Sequence, residues 1–131
     1  MRNEELVMGC LATRFEELIA WQKARSLARE VYHVSDRIPG SKDFRYLDQL
    51  RSSAVSVMAN IAEGFERGSA AEFHRFLSIA KGSCAEVRSH LYVGADTGRL
   101  DREDFDRLLH LAEEVGRIIG ALRVSVGKHR Q

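Results

Sequence analysis

The sequence predicts an all-α protein that folds as an up-down-up-down, left-handed antiparallel four-helix bundle. Three observations predict this fold: four segments carry apolar residues at steps of three and four, short turns separate them, and the 131 residues include a single proline. Because proline breaks a helix interior, its scarcity favours long helices. We expect helices at 14–38, 43–67, 69–97 and 101–127, in one domain covering 14–131 after a flexible tail at 1–13.

The first predicted helix opens on a capping signal and ends at the proline. Thr13 and Glu16 have the spacing of a capping box, in which a threonine hydroxyl and a glutamate carboxylate satisfy each other's backbone donors. The tripeptide Ile38-Pro39-Gly40 stops the helix. The apolar positions between these signals are Phe15, Leu18, Ala24, Leu27, Ala28, Val31 and Val34.

The second and third predicted helices are separated by Gly68 and a second capping box. The second helix starts near Asp43, and the third starts at Ser69, with Glu72 three residues later. The apolar positions of the second helix are Leu47, Leu50, Ala54, Val57, Met58, Ile61 and Phe65. Those of the third are Phe73, Leu77, Ala80, Cys84, Val87, Leu91, Gly94 and Ala95.

The fourth predicted helix follows Gly98, which suits the left-handed backbone that ends a helix, and is capped by Asp101 with Asp104. Its apolar positions are Phe105, Leu108, Ala112, Val115, Ile119, Leu122 and Val126. Alternating steps of three and four are the seam of left-handed, near-antiparallel packing. Connections of about three to five residues make sequential helices antiparallel, which gives the up-down-up-down order.

The first two helices carry more apolar and small residues than one core-facing stripe needs. The first helix adds Ile19, Trp21 and Tyr32. The second adds a face made of Ser52, Val55, Ser56, Ala59 and Ala62. Small side chains let backbones approach closely, so another helix is expected against that face. Either these two helices are the most enclosed pair of the bundle, or the face is a subunit interface.

Composition and charge limit the classes of function. Twenty Lys and Arg residues against nineteen Asp and Glu give a net charge of +1, so the surface as a whole is not built to neutralise phosphates, although a local basic strip remains open. Cys10 and Cys84 lack zinc spacing and indicate the reduced thiols of a cytoplasmic protein. Neither a signal peptide nor a run of about 18 apolar residues is present, so we expect no membrane association.

The histidines, cysteines and glycines of the sequence form none of the common catalytic or cofactor-binding patterns. Di-iron bundles need Glu-x-x-His, but Glu86 precedes His90 by four residues and His110 precedes Glu113. No glycine-rich loop follows a strand, and neither cysteine has a histidine at helical spacing. We therefore expect no enzyme activity, no metal and no cofactor.

Asn60 and Glu63 interrupt an otherwise apolar stretch of the second helix, where a polar group is costly unless it is hydrogen-bonded. One interpretation is a structural network with Ser83 or Arg88 of the third helix, which would fix register or assembly. The other is a ligand or partner site. Glu86 belongs to the same candidate set, as a residue that would help to organise an assembly.

The best sequence candidates for contact with nucleic acid are Arg123, Lys128 and Arg130, near the C-terminal end of the chain. Basic residues of the first helix and of the turn between the second and third helices have acidic neighbours that offset most of their charge.

Three motifs also carry a family resemblance. The main one is Leu50 to Phe65, LRSSAVSVMANIAEGF; the others are Glu72-Phe73-x-Arg75-Phe76-Leu77-x-Ile79-Ala80-x-Gly82-Ser83-x-x-Glu86 and Phe15-x-x-Leu18-x-Ala20-Trp21-x-x-Ala24. With these motifs the chain, from Phe15 to about Val126, resembles the 23S ribosomal RNA intervening-sequence family. That family often has a proline near Val57 and Met58, which this chain lacks, so the second helix is expected to be straighter.

The resemblance implies a homopentameric ring of bundles without catalytic activity, encoded within an intervening sequence of a ribosomal RNA gene. A relative, the accessory variability determinant of diversity-generating retroelements, is a strongly basic pentamer that partners a reverse transcriptase and nucleic acid. The present chain departs from it, because +1 per chain gives only about +5 for five chains.

Two functional hypotheses follow from the residues and the resemblance together. The first is a non-enzymatic, pentameric scaffold that partners RNA or an RNA-associated protein. The alternative is a protein–protein interaction module with no nucleic-acid role, in which Asn60, Glu63 and Glu86 organise the assembly.

Overall fold

A computed structural model describes residues 12–38 and 43–129 of the chain and contains four helices in those ranges. They are α1 (Ile19–Asp36), α2 (Phe44–Glu66), α3 (Ala70–Asp96) and α4 (Arg102–Gly127). Each helix packs chiefly on its neighbours in sequence, and α1 also packs on α4, which closes the bundle. The all-α four-helix bundle is therefore confirmed. The predicted tail, apart from Ala12 and Thr13, lies outside the described residues, as does the Pro39 stop.

The start of α1 differs from the prediction. A short 3-10 turn at Phe15–Glu17 comes first, and extended backbone at Leu18 separates it from the α-helix, which begins only at Ile19. The prediction that Glu16 closes a capping box with Thr13 is wrong, because Glu17 accepts from the Thr13 N–H at 2.7 Å and the Arg14 N–H at 3.0 Å. The hydrogen bond from the Thr13 backbone is the main cause of the lowered pKa of the Glu17 carboxyl.

The starts of the other three helices lie within one residue of their predicted positions, because each has a side-chain cap. Asp43 accepts from the Tyr46 N–H, and Ser69 accepts from the Glu72 N–H. Asp101 accepts from the Asp104 N–H at 2.8 Å. The turns after α2 and α3 contain Gly68 and Gly98 with φ of 84° and 75°, the left-handed backbone that glycine adopts without a steric cost.

The core is built from the apolar stripes that periodicity predicts. Leu27, Leu50, Leu77 and Leu108, one from each helix, are fully buried together. Close helix approach adds a constraint at Gly64 of α2, where a Cβ would lie 2.5 Å from the Cβ of Phe76 on α3. This approach fits the finding that α2 packs most extensively against α3. The interpretation of the first two helices as the most enclosed pair stays a prediction, as does the alternative of a subunit interface.

Candidate functional site

Two residues of the predicted polar set, Asn60 and Ser83, are linked by hydrogen bonds where α2 packs on α3. The Asn60 Nδ2 group donates to the Ser56 carbonyl at 2.8 Å and to Ser56 Oγ at 3.0 Å. Ser56 Oγ is in turn 2.9 Å from the buried Ser83 Oγ across the helix pair. Asn60 thus reaches Ser83 through Ser56, a residue predicted for the small-residue face and not for the network.

The other members of the set lie elsewhere. Glu63 is exposed and pairs with Arg67 one turn along α2, at 2.8 Å. Glu86 lines the outer part of the α2/α3 groove, whose lining is Gln49, Ser52, Ser53, Ser56, Glu86 and His90. Arg88 lines the groove on the other side of α3, because two residues correspond to about 200° of rotation around a helix. The five residues therefore do not form one site.

The residues proposed for nucleic-acid contact are also dispersed. Arg123 belongs to α4, and its Nε donates to Ser78 Oγ of α3 at 2.7 Å. Lys128 is exposed at the end of α4. Arg130 lies outside the described residues. Arg123 is thus oriented toward α3, about one and a half turns before the position of Lys128.

Sequence reasoning missed a basic groove between α3 and α4. This α3/α4 groove has a volume of about 230 Å³ and is lined by Lys81, Cys84, Arg88, Glu113, Gly116 and Arg117. Arg123, which bonds to Ser78 one turn before Lys81, continues the same helix seam. A signal for this groove was present in the sequence, since Lys81 and Arg88 are seven residues apart and therefore share a face of α3.

Neither groove contains an activated nucleophile. Cys84 Sγ is buried and donates to the Ala112 carbonyl at 3.1 Å, and burial is the main cause of its raised pKa. A thiol with a raised pKa is mostly protonated near neutral pH and reacts slowly. Within residues 12–38 and 43–129 there is no cluster of three metal-ligating side chains. None of the helices described is long and apolar enough to cross a bilayer.

The protein is thus a four-helix bundle in which the polar and charged side chains described above lie where neighbouring helices meet at the surface. Comparison with protein families identifies it further: the 23S rRNA-intervening sequence protein family matches residues 16–121, and the chain belongs to this family. The resemblance drawn from the sequence motifs is therefore confirmed.

A solved structure shares the fold. It is a protein with unknown function from the S23 ribosomal protein family of Bacteroides thetaiotaomicron, with 22% sequence identity and a TM-score of 0.74. The alignment covers 79% of the present chain and 96% of that protein. No curated protein matches the chain.

Proposed function

We propose that this protein is a non-enzymatic homo-oligomer, a pentamer of four-helix bundles, that serves in the cytoplasm as a scaffold for RNA or an RNA-associated protein. The observation that carries the proposal is an uncharged band around α2. Between Arg51 and Glu63 the helix has no charged residue for about 15 Å of its length, in a chain that is 30% charged.

Part of this band is open to solvent. Its outward residues Ser52, Val55 and Ala59 are exposed, and Val55 retains 40% of its accessible surface. Ser56 and Ala62 are half-buried beside them. We call these five residues the α2 outer face. An exposed helix face without charges is suited to burial against another protein surface, and its small side chains allow close helix approach.

The hydrogen bonds at this face favour its burial. The amide donor of Asn60 and the hydroxyls of Ser56 and Ser83 already have partners within the chain. Burying a polar group is costly mainly when it loses its hydrogen bonds, so a second copy could cover these groups at little cost. The network also fixes α2 against α3, which holds the face in one shape.

The nucleic-acid part of the proposal takes its support from the family, whose description connects it with 23S ribosomal RNA. The charge balance supports the alternative of a protein–protein interaction module, since most of the basic side chains within residues 12–38 and 43–129 pair with carboxylates. Arg67 with Glu63, Arg75 with Glu72, and Lys23 with Glu114 are examples.

Self-association is tested with two exposed valines on different helices. Val55→Arg places a charge on the α2 outer face, whereas Val124→Arg places the same charge on α4, where the valine is 59% exposed. Sedimentation velocity should show that Val55→Arg dissociates the oligomer and that Val124→Arg leaves it intact. Equal sedimentation of both variants with the parent would exclude the α2 outer face as the interface.

A measurement of RNA binding by the intact protein distinguishes an RNA partner from a protein partner. A salt-sensitive complex with single-stranded RNA supports the scaffold that partners RNA, because phosphate contacts weaken as salt rises. Absence of binding at about 50 mM salt would contradict a direct RNA role and leave a protein as the partner.

A further inference from the structure

The basic side chains that lack ion pairs are unevenly distributed over the bundle. Among residues 12–38 and 43–129, the Lys and Arg side chains without an ion pair are Arg25, Arg45, Lys81, Arg88, Arg117, Arg123 and Lys128. Lys81, Arg88 and Arg117 line the α3/α4 groove, and Arg123 continues its seam. Unpaired positive charge is therefore concentrated along one helix pair.

Elsewhere, cations between helices meet carboxylates. Arg107 of α4 pairs with Glu30 of α1, and Arg37 pairs with Asp104 at 3.2 Å. The α3/α4 groove has one carboxylate in its lining, Glu113, and it forms no ion pair with any described residue. Clustered cations repel one another, so an arrangement of this kind is suited to binding an external anion.

The form of the groove indicates what kind of anion fits. Lys81 and Arg88 are separated by about 10 Å along α3, and Arg117 faces them from α4. The α4 wall includes Gly116 in the groove and Gly120 beside Lys81, whose Nζ would lie 3.6 Å from a Cβ at that glycine. Because these two glycines have no side chain, the α4 wall does not cover the cations of the groove.

We propose that the α3/α4 groove binds the phosphate backbone of single-stranded RNA. This inference rests on the proposed function and specifies its RNA contact site. A phosphodiester strand carries a charge at every nucleotide and matches cations spaced along a seam. The groove lacks the aromatic and large apolar side chains that stack on bases, so it reads the backbone and not the sequence.

The test compares two triple variants with the same change in net charge. The groove variant is Lys81→Gln, Arg88→Gln and Arg117→Gln. The control variant is Arg25→Gln, Arg45→Gln and Arg102→Gln, which removes three exposed cations that lie outside the groove. All six side chains are exposed, so both variants are expected to fold, and circular dichroism checks this. Binding of a fluorescent oligouridylate is measured by anisotropy between about 50 and 200 mM salt.

The groove variant should bind at least about tenfold more weakly than the parent, and its slope of log affinity against log salt should fall by about 2, as for three lost phosphate contacts to a single strand. The control variant should stay close to the parent. Glu113→Gln should bind more tightly than the parent, because it removes the only carboxylate among the groove's lining residues.

Four outcomes would overturn the inference in distinguishable ways. RNA binding that survives in the groove variant would leave the proposed function standing and place the contact elsewhere. Equal losses in both triple variants would show that net charge alone drives binding. Displacement of the RNA by polyglutamate at equal charge concentration would assign the groove to acidic proteins. If the parent binds no RNA, the RNA part of the proposed function fails together with this site.

Discussion

Ser56 of α2 and Ser83 of α3 join their hydroxyl groups across the helix pair, with 2.9 Å between the two oxygens. Ser83 is 5% exposed, and Asn60 completes the arrangement by donating to Ser56. A pair of hydroxyls between two packed helices fixes their register, because a slip of either helix would leave the buried Ser83 hydroxyl without this partner. The hydrogen bond therefore connects the buried Ser83 to Ser56 of the α2 outer face and holds this part of the face in place.

The serine pair predicts a measurable coupling. Ser83→Ala should lower the free energy of unfolding by about 1 kcal/mol, since it leaves Ser56 without its partner on α3. In a Ser56→Ala background the same change should cost about half as much or less, because the bond is already lost. Urea denaturation of the two single variants and the double variant gives the coupling energy. Additive losses would show that the two hydroxyls do not stabilise each other.

The contact between Gly64 and Phe76 predicts that α2 and α3 cannot accept even one methyl group at this point. Gly64→Ala should lower the free energy of unfolding by about 1–3 kcal/mol, because its Cβ would overlap the Phe76 side chain. Gly116→Ala is the matched control: it also lies within a helix, but its Cβ would be 3.7 Å from Cys84 Sγ, an ordinary contact. The control should gain up to about 1 kcal/mol from helix propensity. Loss of stability in the control alone would contradict the packing described.

The buried hydroxyl of Tyr46 leads us to expect a loss of stability at alkaline pH. Its hydroxyl donates to the His90 carbonyl at 2.7 Å, and burial raises its pKa from 10.0 to about 12. The unfolded chain therefore loses this proton before the folded chain does, so the stabilisation is complete below pH 10 and declines as the pH rises toward 12. Between pH 10 and 11 the decline should be about 1 kcal/mol. Urea denaturation should show that Tyr46→Phe lacks this decline in the free energy of unfolding. Equal pH dependence in the parent and the variant would exclude Tyr46 as its source.

Cys84 predicts slow thiol chemistry in the folded protein. Its burial and raised pKa leave little thiolate to react. In a Cys10→Ser background, which leaves Cys84 as the single thiol, iodoacetamide at pH 8 should modify the native protein far more slowly than the urea-unfolded protein. Mass spectrometry follows the reaction. Comparable rates in the two states would show an accessible, reactive thiol and would reopen the question of catalysis at the α3/α4 groove.

The fold was predictable from the sequence because its determinants are local. Buried residues such as Leu50, Leu77 and Val115 recur with the helical period, and Asp43, Ser69 and Asp101 cap the helices that they precede. The start of α1 was not predictable in the same way. Glu16 and Glu17 are adjacent glutamates, and the choice between them depends on the extended backbone at Leu18.

The grooves were less predictable because they depend on which helix faces meet. Asn60 and Ser83 are linked only through Ser56, and that link requires the register of α2 against α3. The α3/α4 groove likewise requires Arg117 to face Arg88 from an antiparallel helix. The net charge of +1 shows only that basic and acidic residues nearly balance. It does not reveal that these cations cluster in the folded protein.

The most direct test of the central claim, that one bundle is a subunit and not the finished assembly, is the mass of the parent protein in solution. Light scattering after size exclusion at micromolar concentration should give about 74 kDa, five times the 14.8 kDa chain. A stable mass near 15 kDa across the concentration range would contradict it, and the uncharged band on α2 would then be the surface of a monomer.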